Sequence, residues 1–302
     1  MTRARPLWQA LRPHQWTKNL LVFAALALSK HLFETGPLLR ASTAFVLFCA
    51  LSGVVYLVND IVDADRDRLH PLKRLRPIAS GALPASQAVG AAIVLGVLCL
   101  LGAFSLGGAF LLCALAYLVL NLLYSLLLKQ VVILDVIAMS LGFVLRAVSG
   151  GVAIGVQISD WLLVCTILLA LFLALAKRRH ELTSLPETDA AGHRATLSEY
   201  SPYLLDQMIS VVTASCVTAY AFYTMAPDTV AKYQTERLSW TIPFVLYGIF
   251  RYLYLVHRRE QGGSPTEILL TDRPLLLNVA LWALAVVAIV YTAKGAPMPI
   301  GL

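Results

Sequence analysis

Apolar and polar positions alternate along this chain in long blocks. Runs of mostly apolar residues cover roughly 16–34, 38–60, 84–104, 107–127, 131–156, 160–177, 204–225, 240–257 and 274–293. Each is close to the length an α-helix needs to cross a bilayer hydrocarbon core. None shows the period-2 alternation of a transmembrane β-strand with a polar lumen face. The pattern predicts an all-α, polytopic membrane protein of nine helices, folded as a single domain over 1–302. Composition agrees: 59% of the 302 residues are hydrophobic and 14% charged, whereas a soluble domain carries about a quarter charged.

The cations orient the spans. With nine alternating crossings, seventeen of the 24 lysines and arginines fall on the side of the N-terminus. The positive-inside rule therefore places the N-terminus in the cytoplasm. The long loops 61–83, 178–203 and 258–273 lie on that side and carry most of the polar residues. The chemistry is expected to face the cytoplasm, with the protein embedded in the membrane. The five cysteines all lie inside apolar runs without ligand or pairing spacing, and read as small apolar residues. The first apolar run has no convincing cleavage site and is expected to be retained.

The densest polar stretch is VNDIVDADRDRLHPLKRLRPIASG, residues 58–81. On a helix turning about 100° per residue, Asn59, Asp60, Asp63 and Asp67 share an arc of about 100°, while Asp65 points to the far side. Three carboxylates on one face repel unless a cation sits among them. An oxygen-rich set at a membrane surface suits Mg²⁺, which bridges a few carboxylates to substrate phosphates. Asp60, Asp63 and Asp67 are the expected metal ligands. The cations that follow, Arg66, Arg68, Lys73, Arg74 and Arg76, anchor the loop to anionic lipid and are also what a diphosphate needs beside its metal.

Other polar groups recur at span ends. Asn121, Ser125 and Lys129 share one helix face, with Tyr124 nearby. Lys177, Arg178 and Glu181 share another, whereas Arg179 and His180 point elsewhere. Lys18, in LRPHQWTKN, is placed either to anchor at the interface or to read a lipid phosphate. Asp135 and Arg146 share a face of the fifth span, and an ion pair with a neighbouring helix is the favoured role. Thr271 or Asp272 is expected to cap the last helix, with Pro274 in its first turn.

The NDxxDxxxD pattern after the second span, the Tyr and Lys after the fourth, and the nine-span bundle resemble the UbiA-type prenyltransferase superfamily over most of the chain. Ordinary members carry a second Asp-rich motif after span six, and here KRRHEL stands at 177–182. With LRPHQWTKN at 11–19 and FVLRAVSGG at 143–151, the chain is most similar to the superfamily's phosphoribosyltransferase branch. That resemblance implies transfer of 5-phosphoribose from phosphoribosyl pyrophosphate (PRPP) to a decaprenyl-type polyprenyl phosphate, for cell-envelope polysaccharide precursors. It implies Mg²⁺ as cofactor and Asp60, Asp63 and Lys129 in the catalytic machinery. Asn59, Arg66, Lys73, Arg74, Arg76, Tyr124, Lys129, Lys177 and Arg178 would hold the donor phosphates, and Lys18 the lipid phosphate. The rival activities are prenyl transfer to an aromatic ring, disfavoured by the missing second motif, and transport, disfavoured by acids clustered at one surface rather than at midplane. No nucleic-acid partner is expected. Homo-oligomerisation through small-residue faces is open.

Overall fold

The computed structural model describes residues 4–69, 71, 73–184, 197, 199–259, 263 and 265–301. Eight helices are long and apolar enough to cross a membrane. They are α3 (Thr35–Val62), α5 (Ala85–Ser105), α6 (Gly108–Leu126), α7 (Leu134–Ile154), α8 (Asp160–Thr183), α9 (Pro202–Met225), α11 (Ile242–Arg258, entered through a short 3₁₀ turn at Arg237–Thr241) and α13 (Arg273–Thr292). These match eight of the nine expected spans to within a few residues, and no strand occurs among the described residues. Short helices fill the ends: α1 (Ala4–Ala10), α2 (Ala24–Leu28), α4 (Ala64–Leu69), α10 (Pro227–Tyr233) and α12 (Pro265–Thr271).

The expected span 16–34 is wound differently. Pro13–Phe23 forms a 3₁₀ helix that continues into α2. At about 2.0 Å rise per 3₁₀ residue and 1.5 Å per α residue, the two together still extend about 30 Å. The segment packs closely on α7, where a Cβ at Gly150 would overlap the carbonyl oxygen of Val22. The slender 3₁₀ segment therefore lies backbone to backbone on α7, held there by the glycine.

The core falls into two main blocks. Val22, Phe48, Leu51, Phe110, Tyr117 and Ala153 join the 3₁₀ segment to α3, α5, α6 and α7. Val136, Phe172, Leu175, Leu205, Ile249, Tyr252 and Leu275 join α7 to α8, α9, α11 and α13. Helix α7 belongs to both, so its residues face the middle of the bundle. The outward faces of α5 and α6 show Leu98, Leu101, Phe104 and Leu112, as a surface solvated by lipid requires. The five cysteines are free, and Cys49, Cys99 and Cys216 are buried. Asp272 caps α13 through the Leu275 N–H at 2.9 Å and is gripped by Arg251 at 3.1 and 2.8 Å. That hydrogen-bonded guanidinium holds the Asp272 carboxyl below its ordinary range.

Candidate active site

Helix α3 ends at Val62, and Asp63 is its C-cap with φ −93° and ψ 3°. The chain does not leave the helical path there. The Asp63 N–H still donates to Asn59 O at 2.9 Å and the Asp67 N–H to Asp63 O at 2.8 Å. The four-residue spacing of the acids therefore survives the break. Asp60 and Asp67 are buried and Asp63 is partly buried, whereas the Asp65 side chain is 94% exposed and pairs with Arg68. Asp60, Asp63 and Asp67 thus face inward in three dimensions, and Asp65 faces outward.

Each inward acid meets a cation. Arg76, returned by the 73–76 turn, donates to Asp67 Oδ2 at 2.6 Å and to Asp60 Oδ1 at 3.1 Å. Arg12 reaches the same Asp60 oxygen at 2.5 Å. Lys129, buried in the 3₁₀ turn Leu128–Gln130, lies 2.7 Å from Asp63 Oδ1. Among the described residues, no three His, Cys, Asp or Glu side chains converge as a ligand set. Asp60 and Asp67 meet through Arg76, and Asp63 is turned aside to Lys129. One atom nevertheless suits a cation: Asp60 Oδ2 is buried and has no hydrogen-bond partner among the described residues. A buried carboxylate oxygen left bare is costly, and a hard divalent ion is a suitable partner for it.

The remaining expected phosphate ligands divide. Lys73 and Asn59 are half-buried along the same stretch, while Arg66 and Arg74 are exposed on the loop surface. Lys177 is partly exposed, 3.8 Å from Glu181. Arg178 is only 1% exposed. Its Nε donates to Asp135 at 2.6 Å, its Nη1 to Glu181, and its Nη2 to the Tyr124 hydroxyl at 3.4 Å. Arg178 and Tyr124 thus tie α8 to α7 and α6, and all three guanidinium nitrogens are already engaged. The ion pair expected for the fifth span is real, but it belongs to Asp135 and Arg178. Arg146 forms none.

Three residues of this region escaped the sequence reading. Arg12 counted only as a cytoplasmic cation, yet it adopts a left-handed conformation (φ 51°) before Pro13, stacks 4.9 Å from the Tyr56 ring centroid, and grips Asp60. Tyr200 donates to Asp135 Oδ1 at 2.8 Å and accepts the Ile133 N–H at 2.7 Å. Ile133 has φ 69°, a strained setting for a β-branched residue, in the turn that carries Lys129. Burial, with the Asp135 carboxylate beside it, pushes the Tyr200 phenol up to about 12. Asn19 bonds Arg146 deeper in the bundle. The proline after Arg12 in LRPHQWTKN signals only a local backbone constraint, and nothing near it in sequence points to Asp60. The other two depend on partners far along the chain.

Two cavities of about 780 and 1000 Å³ lie at the opposite end of the bundle, lined by Leu106, Val152, Gln157, Ile158, Asp228 and Ile300 among others. Neither includes a residue of 59–76.

Comparison with known proteins follows this geometry. The model of the UbiA prenyltransferase family matches residues 20–266. A decaprenyl-phosphate phosphoribosyltransferase of Corynebacterium glutamicum is 35% identical, covering 94% of this chain and 86% of its own. The protein of that name from Mycolicibacterium smegmatis is 34% identical, covering 94% and 92%. A UbiA homologue from Archaeoglobus fulgidus, solved with GPP and Mg²⁺, superposes with TM-score 0.73 at 20% identity, covering 95% of this chain and 99% of its own.

Proposed function

The chain belongs to the UbiA prenyltransferase family, and from that premise we propose that it transfers the 5-phosphoribosyl group of PRPP to a polyprenyl phosphate. The carrying observation is the charge-matched layer at one end of the bundle, where Asp60, Asp63 and Asp67 each meet Arg12, Arg76 or Lys129. The curated relatives bear the name of this activity over nearly their whole length. The departure at KRRHEL supports it too. Where a second acidic motif would hold a second diphosphate metal site, this chain has Arg178 locked to Asp135.

Asp60, Asp67 and Asp63, the last exchanging out of its pair with Lys129, would hold Mg²⁺. The ion would supply charge neutralisation on the leaving diphosphate. Carboxylates engaged this way would leave Arg12, Arg76 and Lys129 to bind phosphate oxygens. Asn59, Lys73 and Lys177 stand at the rim to assist. An oxygen of the lipid phosphate attacks C1 of the ribose as the bond from C1 to the pyrophosphate oxygen breaks. Pyrophosphate leaves with that electron pair. The nucleophile is already an anion, so no strong general base is required. The chain contributes orientation and preorganised charge, at a centre that becomes oxocarbenium-like. Lys18 takes the lipid phosphate. By the cation asymmetry, the layer faces the cytoplasm of a bacterial plasma membrane.

The test is direct. Purified protein with Mg²⁺, labelled PRPP and a polyprenyl phosphate should move label into the lipid fraction with release of pyrophosphate. Label confined to the aqueous phase overturns the proposal.

A further inference from the structure

Within the bundle sits a positive charge that no described carboxylate neutralises. Arg146 lies about 16 Å beyond Asp135 along α7, at 1.5 Å per residue, and is 7% exposed. Its Nε donates to Asn19 Oδ1 at 2.7 Å, its Nη2 to the Tyr117 hydroxyl at 2.7 Å, and its Nη1 to Gly142 O at 2.8 Å. The guanidinium sits 4.9 Å from the Tyr117 ring centroid and 5.1 Å from that of Phe143. Every one of these partners is neutral. Ser52 completes the same network, 3.3 Å from Asn19 and 3.2 Å from Tyr117. By contrast, Arg12, Arg76, Lys129, Arg178 and Arg251 are each matched by a carboxylate. No described carboxylate lies within ion-pair distance of Arg146. A guanidinium has five N–H donors, so two remain after these three bonds. A buried cation without a counter-charge is costly in a membrane interior.

Lys18 is the second cation of the place. It precedes Asn19 on the 3₁₀ segment that Gly150 holds against α7. It is half-buried, lies within electrostatic reach of Arg146, Lys177 and Arg12, and has no described carboxylate at ion-pair distance. Two cations without described carboxylate partners, Arg146 stacked on Tyr117 and Phe143 and Lys18 beside Asn19, form an anion site with a partly apolar wall. A soluble polyanion arriving from the loop side meets the Asp60–Arg76 layer first. An amphiphile whose tail stays in the bilayer brings its anionic head in from the side.

We infer that Lys18 and Arg146, oriented by Asn19 and Tyr117, form a phosphomonoester subsite for the lipid acceptor, set deeper in the bundle than the donor layer. The inference rests on the phosphoribosyl-transfer reading for the identity of that lipid and deepens it. The missing counter-charge of Arg146 arrives with the substrate. Affinity for the lipid then depends on its phosphate, and a neutral prenol gains nothing from Arg146.

The test is equilibrium binding to the full chain in detergent by titration calorimetry, without turnover. Farnesyl phosphate is the probe, farnesol the control for the tail, and PRPP with Mg²⁺ the control for the donor layer. Asn19→Asp sets a carboxylate against Arg146 at almost unchanged volume. It should weaken farnesyl phosphate about tenfold or more while leaving farnesol and PRPP within about twofold, with no loss of Tm. Arg146→Gln should do the same, and Arg146→Lys should retain more affinity than Arg146→Gln. If Asn19→Asp leaves farnesyl phosphate affinity unchanged, or weakens PRPP equally, the subsite is overturned even where the wild type makes product. If farnesyl phosphate binding depends on Arg146 but no phosphoribosylated lipid forms, the subsite stands and the reaction is overturned.

Discussion

Lys129 Nζ lies 2.7 Å from Asp63 Oδ1, joining the turn between α6 and α7 to the end of α3 across 66 positions of sequence. Both groups belong to the proposed donor site, and each neutralises the other until a metal and a diphosphate exchange with them. Asp63→Asn leaves Lys129 buried beside a neutral amide and removes a metal ligand. It should lower turnover by roughly 10² or more. Asp65→Asn, on the exposed side of α4, should stay within about threefold of wild type. Rates on variants matched for folding by Tm check this pair. Equal loss in both would show that one-face placement of the acids has no bearing on catalysis.

Arg12 stands where a metal ion would compete for Asp60. Removing one partner of a buried ion pair commonly costs about 3–5 kcal/mol. Arg12 is partly exposed and Arg76 still reaches Asp60, so Arg12→Gln should cost about 2 kcal/mol. With Asp60 relieved of one guanidinium, added MgCl₂ should raise the Tm of Arg12→Gln more than that of wild type. Thermal scans across a Mg²⁺ series with a Ca²⁺ control read this without any assay of activity. An identical Mg²⁺ shift in both proteins would argue that Asp60 is not a ligand.

Tyr200 fastens the strained turn that carries Lys129. Its hydroxyl takes the Ile133 N–H and gives to Asp135, which Arg178 holds from the other side. With the phenol pushed up to about 12, it remains a protonated donor throughout the neutral pH range. Tyr200→Phe removes both bonds, at about 1–3 kcal/mol of stability. The turn at 128–133 should then exchange its amide hydrogens faster, and kcat/KM for PRPP should fall about tenfold. Binding of the lipid phosphate should not change. Unaltered exchange at 128–133 would remove Tyr200 from any positioning role.

What could be read from the sequence follows from what kind of contact made each feature. Eight spans were legible because a lipid-facing helix must be apolar over its whole length, as α5 and α13 are. The acids of 60–67 were legible because helical spacing sorts faces locally, and the break at Asp63 keeps the four-residue bonds that the sorting assumes. The segment 16–34 was read as an ordinary span. Its close seat on α7 depends on the absence of a side chain at Gly150, more than a hundred residues away. Arg178 looked like a phosphate ligand from its own helix, because its true partners, Asp135 and Tyr124, sit on two others. Pairings that cross the bundle leave no periodic trace.

Gly150 offers the sharpest test of how the 3₁₀ segment is held. A methyl group there would overlap the Val22 carbonyl oxygen, and backbone cannot yield as a flexible side chain can. Gly150→Ala should push the 3₁₀ segment off α7 at a cost of about 1–3 kcal/mol. Gly36, with open space around its Cβ position, serves as the control. Gly36→Ala should leave stability within about 0.5 kcal/mol or raise it slightly. Because Lys18 and Asn19 ride on the displaced segment, Gly150→Ala should also weaken farnesyl phosphate more than PRPP. Thermal unfolding and the binding titrations separate these effects. A Gly150→Ala protein as stable as wild type, with both ligands bound normally, would mean that the 3₁₀ segment reaches its place without that contact.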